Sequence, residues 1–229
     1  MKSVGIIGGL GPETTAEFYL DIILSCQKKC KISRPPIIIS SVPLPYKLEE
    51  DAILKNEGME GYLPFLITEA KRLERAGADF IVMPCNTLHI FIENIRDAVK
   101  VPVLSIIEET VNFFKGKNPK KIGIISTLST LQNKLYEKAF QENNIDYETP
   151  DAIQQAKIGK IIFNLVNGKQ NSKDRENLIG VIDSFKDKSA DCALLACTDL
   201  QLLITEHQKL KVFDTMKILA DATVREILK

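Results

Sequence analysis

Seven short runs of aliphatic and β-branched residues punctuate the chain, at residues 4–7, 37–42, 80–83, 101–104, 121–125, 192–195 and 211–213. They do not alternate apolar with polar. They are apolar nearly throughout, the pattern of a strand covered on both faces. Between them lie longer segments of helical spacing, among them 12–30, 61–76, 88–99, 131–143 and 151–167. Such segments are long enough to carry the chain back over a sheet between parallel strands. The fold class is therefore α/β with mainly parallel sheets. The polar stretch 167–176 reads as an exposed loop between helices.

Composition closes off other classes. Hydrophobic residues make up 45% and charged residues 26% of 229, an ordinary globular balance. Folding hides roughly 70% of the surface of a chain this long, enough core for one large domain or two lobes without staples. Thirty basic residues offset thirty acidic ones, so no global field draws the protein onto nucleic acid or an anionic membrane. No apolar run reaches the ~18 residues of a spanning helix. The segment Met1-Lys2-Ser3-Val4-Gly5-Ile6-Ile7-Gly8-Gly9 reads as a strand entering a glycine turn rather than as a signal peptide. A cytoplasmic location, with no nucleic-acid or membrane partner, is the expectation.

The cysteines are Cys26, Cys30, Cys85, Cys192 and Cys197, and the histidines only His89 and His207. No Cys-x-x-Cys occurs, so no metal site is expected, and cytosolic thiols stay reduced. Cys26 and Cys30 stand four apart on a predicted helix and are most simply packing residues. Any special cysteine should be a reactive one.

Two of them fall in an internal echo. Ala78-Asp79-Phe80-Ile81-Val82-Met83-Pro84-Cys85-Asn86-Thr87-Leu88 lies over Ala190-Asp191-Cys192-Ala193-Leu194-Leu195-Ala196-Cys197-Thr198-Asp199-Leu200 at an offset of 112. Upstream, Gly5-Ile6-Ile7 with Leu10 lies over Gly123-Ile124-Ile125 with Leu128 at an offset of 118. We read this as a duplication, giving a first lobe over residues 1–100 and a second over 101–207. The segment 208–229 is expected to return to the first lobe, and a pseudo-twofold axis to relate the two across a cleft.

Ligands of parallel sheets bind beyond the carboxyl ends of strands, where Cys85 and Cys197 both fall. Asn86-Thr87 and Thr198-Asp199 follow them, residue types that cap helices and leave backbone N–H groups free for an anion. A helix start also favours thiolate. Two thiols facing one carbon from opposite sides suit inversion of a stereocentre, one removing a proton while the other supplies one. Oriented backbone donors would stabilise the carbanion-like transition state. Burial as small hydrophobes is the competing reading for either cysteine alone; the matched pair favours the site. In Gly8-Gly9-Leu10-Gly11-Pro12-Glu13-Thr14-Thr15 the third glycine of a dinucleotide turn is replaced by Thr14, and the strand at 37–42 ends without a ribose-binding acid. A turn admitting backbone close to a small ligand fits better, with pure turn chemistry nearly equal.

At these residues the chain resembles the aspartate/glutamate racemase superfamily, in its cofactor-independent aspartate racemase branch. The resemblance spans essentially the whole chain and is carried by Gly8-Gly9-Leu10-Gly11-Pro12, Met83-Pro84-Cys85-Asn86-Thr87-Leu88-His89 and Ala196-Cys197-Thr198-Asp199-Leu200. Ile106-Ile107-Glu108-Glu109-Thr110 and Ser126-Thr127-Leu128-Ser129-Thr130 also resemble family segments. It implies two similar lobes, a homodimer, no pyridoxal phosphate, a small amino-acid substrate (aspartate favoured), and Cys85 and Cys197 as the two acid/base residues. By motif position Leu10, Asn86, Thr87, Thr127, Thr130 and Thr198 would contact substrate.

Five positions depart from the family pattern. Ala196 and Asp199 flank the second cysteine where glycine and glutamate are usual, and Leu10 replaces methionine. The arginine expected to grip a distal carboxylate is matched by Lys47, which keeps the charge without the bidentate fork. A second distal cation is matched by Asn167, with Lys169 nearby. Lys47 as a solvated loop charge is an equal reading, and His89 reads as a capping or packing residue. The same scaffold also serves racemases of other amino acids or of hydantoins and maleate-type isomerases; a noncatalytic small-acid binder is the alternative of another class.

Overall fold

A computed structural model describes residues 1–55 and 57–229, with the backbone alone for 53–55. It divides into two compact units, Met1–Glu109 with Met216–Lys229, and Thr110–Thr215.

In the first unit β1 (Val4–Gly8) runs into α1 (Pro12–Lys29), then β2 (Ile37–Ser41), α2 (Tyr46–Lys55), α3 (Leu63–Arg75), β3 (Phe80–Val82), α4 (Ile92–Ala98) and β4 (Val103–Leu104). All four strands are parallel, in the order β2-β1-β3-β4. Pro12 opens α1, Glu13 sits in its first turn and Lys28 and Lys29 in its last, each suiting the helix dipole. The buried face of α1 is Phe18, Ile22 and Cys26, spaced by four. The boundary to the second unit falls inside α5 (Ile106–Lys117).

The second unit repeats the plan. It holds β5 (Ile122–Ser126), α6 (Leu128–Gln132), α7 (Leu135–Glu142), β6 (Tyr147–Glu148), α8 (Ala152–Val166), α9 (Ser172–Asp187), β7 (Cys192–Ala196) and β8 (Lys211–Asp214). Its parallel order β6-β5-β7-β8 is that of the first sheet strand for strand. The register repeats too. Val4 pairs with Phe80 in the first sheet and Ile122 with Cys192 in the second, the residues that offsets of 118 and 112 superpose. The last helix, α10 (Thr215–Ile227), returns to the first unit, where the Ile227 carbonyl takes the Lys2 amide at 2.9 Å. Among the described residues no helix is long and apolar enough to cross a membrane.

Local departures have physical causes. The helix expected over 88–99 begins as a 3-10 turn, Thr87–Phe91, before α4. The helix expected over 131–143 is two, broken at Lys134, whose φ of +53° is left-handed. That break lets α7 bury Tyr136 and Phe140 on one face. The loop expected over 167–176 ends early, because Asn171 and Asp174 form a reciprocal capping box that starts α9 at Ser172. Lys47 lies on α2 rather than in a loop.

Candidate active site

Each unit gathers its predicted site residues at the carboxyl end of its sheet. In the first, β1 and β3 are neighbours. Leu10 follows β1, and Cys85, Asn86 and Thr87 follow β3. Leu10 and Cys85 pack against one core cluster that includes Leu88, Ile7 and Tyr62. Cys85 is partly exposed, while Asn86 beside it is buried. Burial pushes the Tyr62 hydroxyl well above its ordinary pKa, with the charges of Cys85 and Glu49 acting the same way. Tyr62 thus stays protonated next to the thiol; nothing local in the sequence points to it.

The expected capping after the cysteines needs correction. Asn86 adopts helical φ/ψ and makes no side-chain cap bond to the 3-10 turn it precedes. Asp199 behaves likewise before a second 3-10 turn, Leu200–Leu202. The turn after Cys197 is too short for an α-helical dipole, whereas the one after Cys85 leads into α4. Helix capping does occur at Thr127, whose hydroxyl accepts the Thr130 amide at 3.1 Å and donates to Thr130 Oγ1 at 2.9 Å.

His89 is held at both ring nitrogens. Its Nε2 accepts the Ile106 amide at 3.0 Å, so the ring proton sits on Nδ1, which lies 2.7 Å from the Cys85 carbonyl and donates to it. Burial lowers its pKa to about 4, against an opposing pull from the Cys85 carbonyl, and the imidazole is neutral. The ring caps α5, in line with the capping reading.

In the second unit the register sets Ser126 of β5 beside Ala196 of β7. The next residues, Thr127 and Cys197, therefore leave adjacent strand ends together. Cys197 and Thr198 are buried. The Cys197 thiol donates to Asp199 Oδ2 at 3.8 Å, a contact at i,i+2 that the sequence carried in plain view. Gln155 of α8 reaches across to donate to the Ser126 carbonyl at 3.0 Å, holding the end of β5.

Other candidates have partners within their own elements or turns. Lys47 is exposed and ion-paired with Asp51 at 3.0 Å along α2. Asn167 donates to the Phe163 carbonyl of its own helix at 2.8 Å. The Gly9 amide is taken by Thr15 Oγ1 at 2.9 Å, and a Cβ on Gly9, at φ +80°, would stand 2.5 Å from Ser41 Oγ. That glycine serves the turn. Burial, with Asp191 adding, pushes Cys192 up to about 12, and burial likewise raises Cys26. Both are inert packing thiols.

The sequence profile of the Asp/Glu/Hydantoin racemase family matches residues 7–223. The chain belongs to that family. It is accordingly an isomerase, an amino-acid racemase. It is 30% identical over 230 residues to the Broad specificity amino-acid racemase RacX of Bacillus subtilis (strain 168), covering 98% of each chain. Among solved structures it resembles a putative Asp/Glu racemase from Yersinia pestis, with 27% identity, a TM-score of 0.87 and full coverage of both chains. The Picrophilus torridus aspartate racemase gives 27% identity and a TM-score of 0.83, over 100% of this chain and 95% of that one. As a family member, this racemase carries its two motif cysteines just beyond strands of equal rank in two sheets of equal order.

Proposed function

We propose that this racemase inverts the α-carbon of a free amino acid by passing its proton between Cys85 and Cys197, without pyridoxal phosphate. The observation that carries the reading is the repeated register: each cysteine stands five residues beyond Phe80 or Cys192, the two residues that occupy the same place in their sheets. One thiolate takes the α-hydrogen, so an S–H bond forms as Cα–H breaks and the electron pair moves into the carboxylate as an enediolate. The other thiol donates its proton to the opposite face, and Cα–H forms as that S–H breaks. The roles are exchanged after each turnover. The Cys197 thiol faces the Asp199 carboxylate at 3.8 Å, and the enantiomer bound decides which cysteine starts as base and which as acid.

Asn86, Thr87, Thr127, Thr130 and Thr198 would bind the carboxylate and amino group, with Leu10 against the side chain. The pairing of Lys47 with Asp51 weakens its claim on a distal carboxylate. With a broad-specificity relative at full length, this favours a substrate range that includes aspartate without being confined to it. The same proposal places the enzyme in the cytoplasm, where free thiols persist, as a homodimer.

Single enantiomers of aspartate, glutamate and neutral amino acids, incubated in deuterated water without added cofactor, test this. Optical activity should decay with α-deuterium incorporation for several of them. Cys85→Ala should lose proton removal from one enantiomer, and Cys197→Ala from the other, each by roughly 100-fold or more. Wild-type racemisation by both single variants would end the two-thiol reading, and binding without deuterium exchange would mark a noncatalytic acid binder.

A further inference from the structure

The Cys85 thiol is mounted on a short piece of chain held from both sides. Its amide donates to the Met83 carbonyl at 2.8 Å, and its carbonyl takes Nδ1–H of His89 at 2.7 Å. Both peptide planes that flank its Cα are thereby held in place. The ring that holds the carbonyl is itself anchored at Nε2 by the Ile106 amide, in the first turn of α5. Only the neutral Nδ1–H tautomer satisfies both bonds at once. The second unit needs no such ring. There the Cys197 carbonyl takes the backbone amide of Leu200 at 3.2 Å, and Gln201 stands where the offset of 112 places His89.

We propose that His89 is the positioning residue of the first thiol: a tautomer-locked strut between α5 and the Cys85 peptide that aims Sγ while touching no substrate. This rests on reading Cys85 as one of the two acid/base groups. A ring that only filled space or capped α5 would support the fold without setting the reactivity of one particular sulfur.

The test compares the wild-type chain with His89→Asn and His89→Ala. Asparagine keeps a donor near the place of Nδ1 and lacks the acceptor at Nε2. Iodoacetamide labelling is followed cysteine by cysteine by mass spectrometry, alongside melting temperature and steady-state racemisation. In His89→Ala, Cys85 should label about threefold faster or more, because its mounting is loosened, while Cys197 stays within about twofold of wild type. His89→Asn should return Cys85 to within about twofold. The kcat of His89→Ala should fall roughly tenfold with KM little changed, since the lost contact orients a catalytic group and not the substrate.

A folded His89→Ala whose Cys85 labels no faster overturns the proposal. So does an equal change at Cys197, a failure of asparagine to restore, or an unchanged kcat. Should His89→Ala not fold, nitrogen-15 shifts of the wild-type ring decide: a proton on Nδ1 with bare Nε2 supports the strut, and a proton on Nε2 removes it. Labelling requires no turnover, so an inactive wild-type protein counts against the two-thiol reading and leaves this one to its own result.

Discussion

A methyl group placed on Gly123 would collide with Cδ2 of Phe185, a fully buried ring of α9. The matching glycine of the first sheet, Gly5, is closed by Ala78 at 2.9 Å and Leu73 at 3.1 Å. The glycine that marks the first strand of each half is there to let a helix side chain lie flat on the sheet. Gly123→Ala should accordingly cost about 1–3 kcal/mol in a urea titration. Gly180→Ala, on the same α9 but with open space around its Cα, should be neutral or gain up to about 1 kcal/mol. At this scale the sequence singled out the two cysteines of the proposal through their matched surroundings. It did not expose His89 as a strut, because Ile106 is 17 residues away and meets the ring only after folding. Tyr62 was invisible for the same reason.

Helix starts show how far local pattern reaches. Asp151 caps α8 and Asn171 caps α9, each in a reciprocal box with the residue three places on. Such boxes are short-range and follow from residue types alone. Asp174 does more, since its carboxylate also accepts Asn164 Nδ2 at 3.0 Å and ties α8 to α9. Asn171→Ala should therefore cost about 1 kcal/mol, the usual loss of a cap. Asp174→Ala should cost about 2 kcal/mol, because it also strands a half-buried amide. Thermal unfolding followed by circular dichroism would rank them, and an Asn171→Ala loss larger than that of Asp174→Ala would refute the tie. The expected caps after Cys85 and Cys197 failed where this one succeeded. Asn86 and Asp199 are drawn into helical φ/ψ by tight 3-10 turns, and a residue in that conformation does not turn its side chain onto the amides ahead.

The whole molecule should register one buried imidazole as acid sensitivity. His89 titrates near 4 when folded, chiefly through burial, against about 6.5 when unfolded; Arg96 and Glu108, paired at 2.8 Å, pull on it in opposite directions. Between those values the unfolded chain carries a proton that the native protein does not. The contribution is thus complete above about pH 6.5 and drains away toward pH 4, by about 3 kcal/mol in all. Denaturant midpoints measured across this range should fall for the wild type and flatten for His89→Asn; parallel curves would disprove the linkage. Glu137 works the other way, its carboxyl raised by burial, so the comparison of variants isolates the histidine. Read by itself, the sequence determined the α/β class, the parallel strands and the repeated half, because periodicity and residue type report how each segment is buried along its own length. The repeat extends to register, with Val4 on Phe80 and Ile122 on Cys192. The tertiary structure alone decided which atom each polar group meets: His89 on Ile106, Gln155 on Ser126, Gly123 under Phe185. Those partners lie far apart along the chain, and only the packing of one element on another brings them within a bond's length.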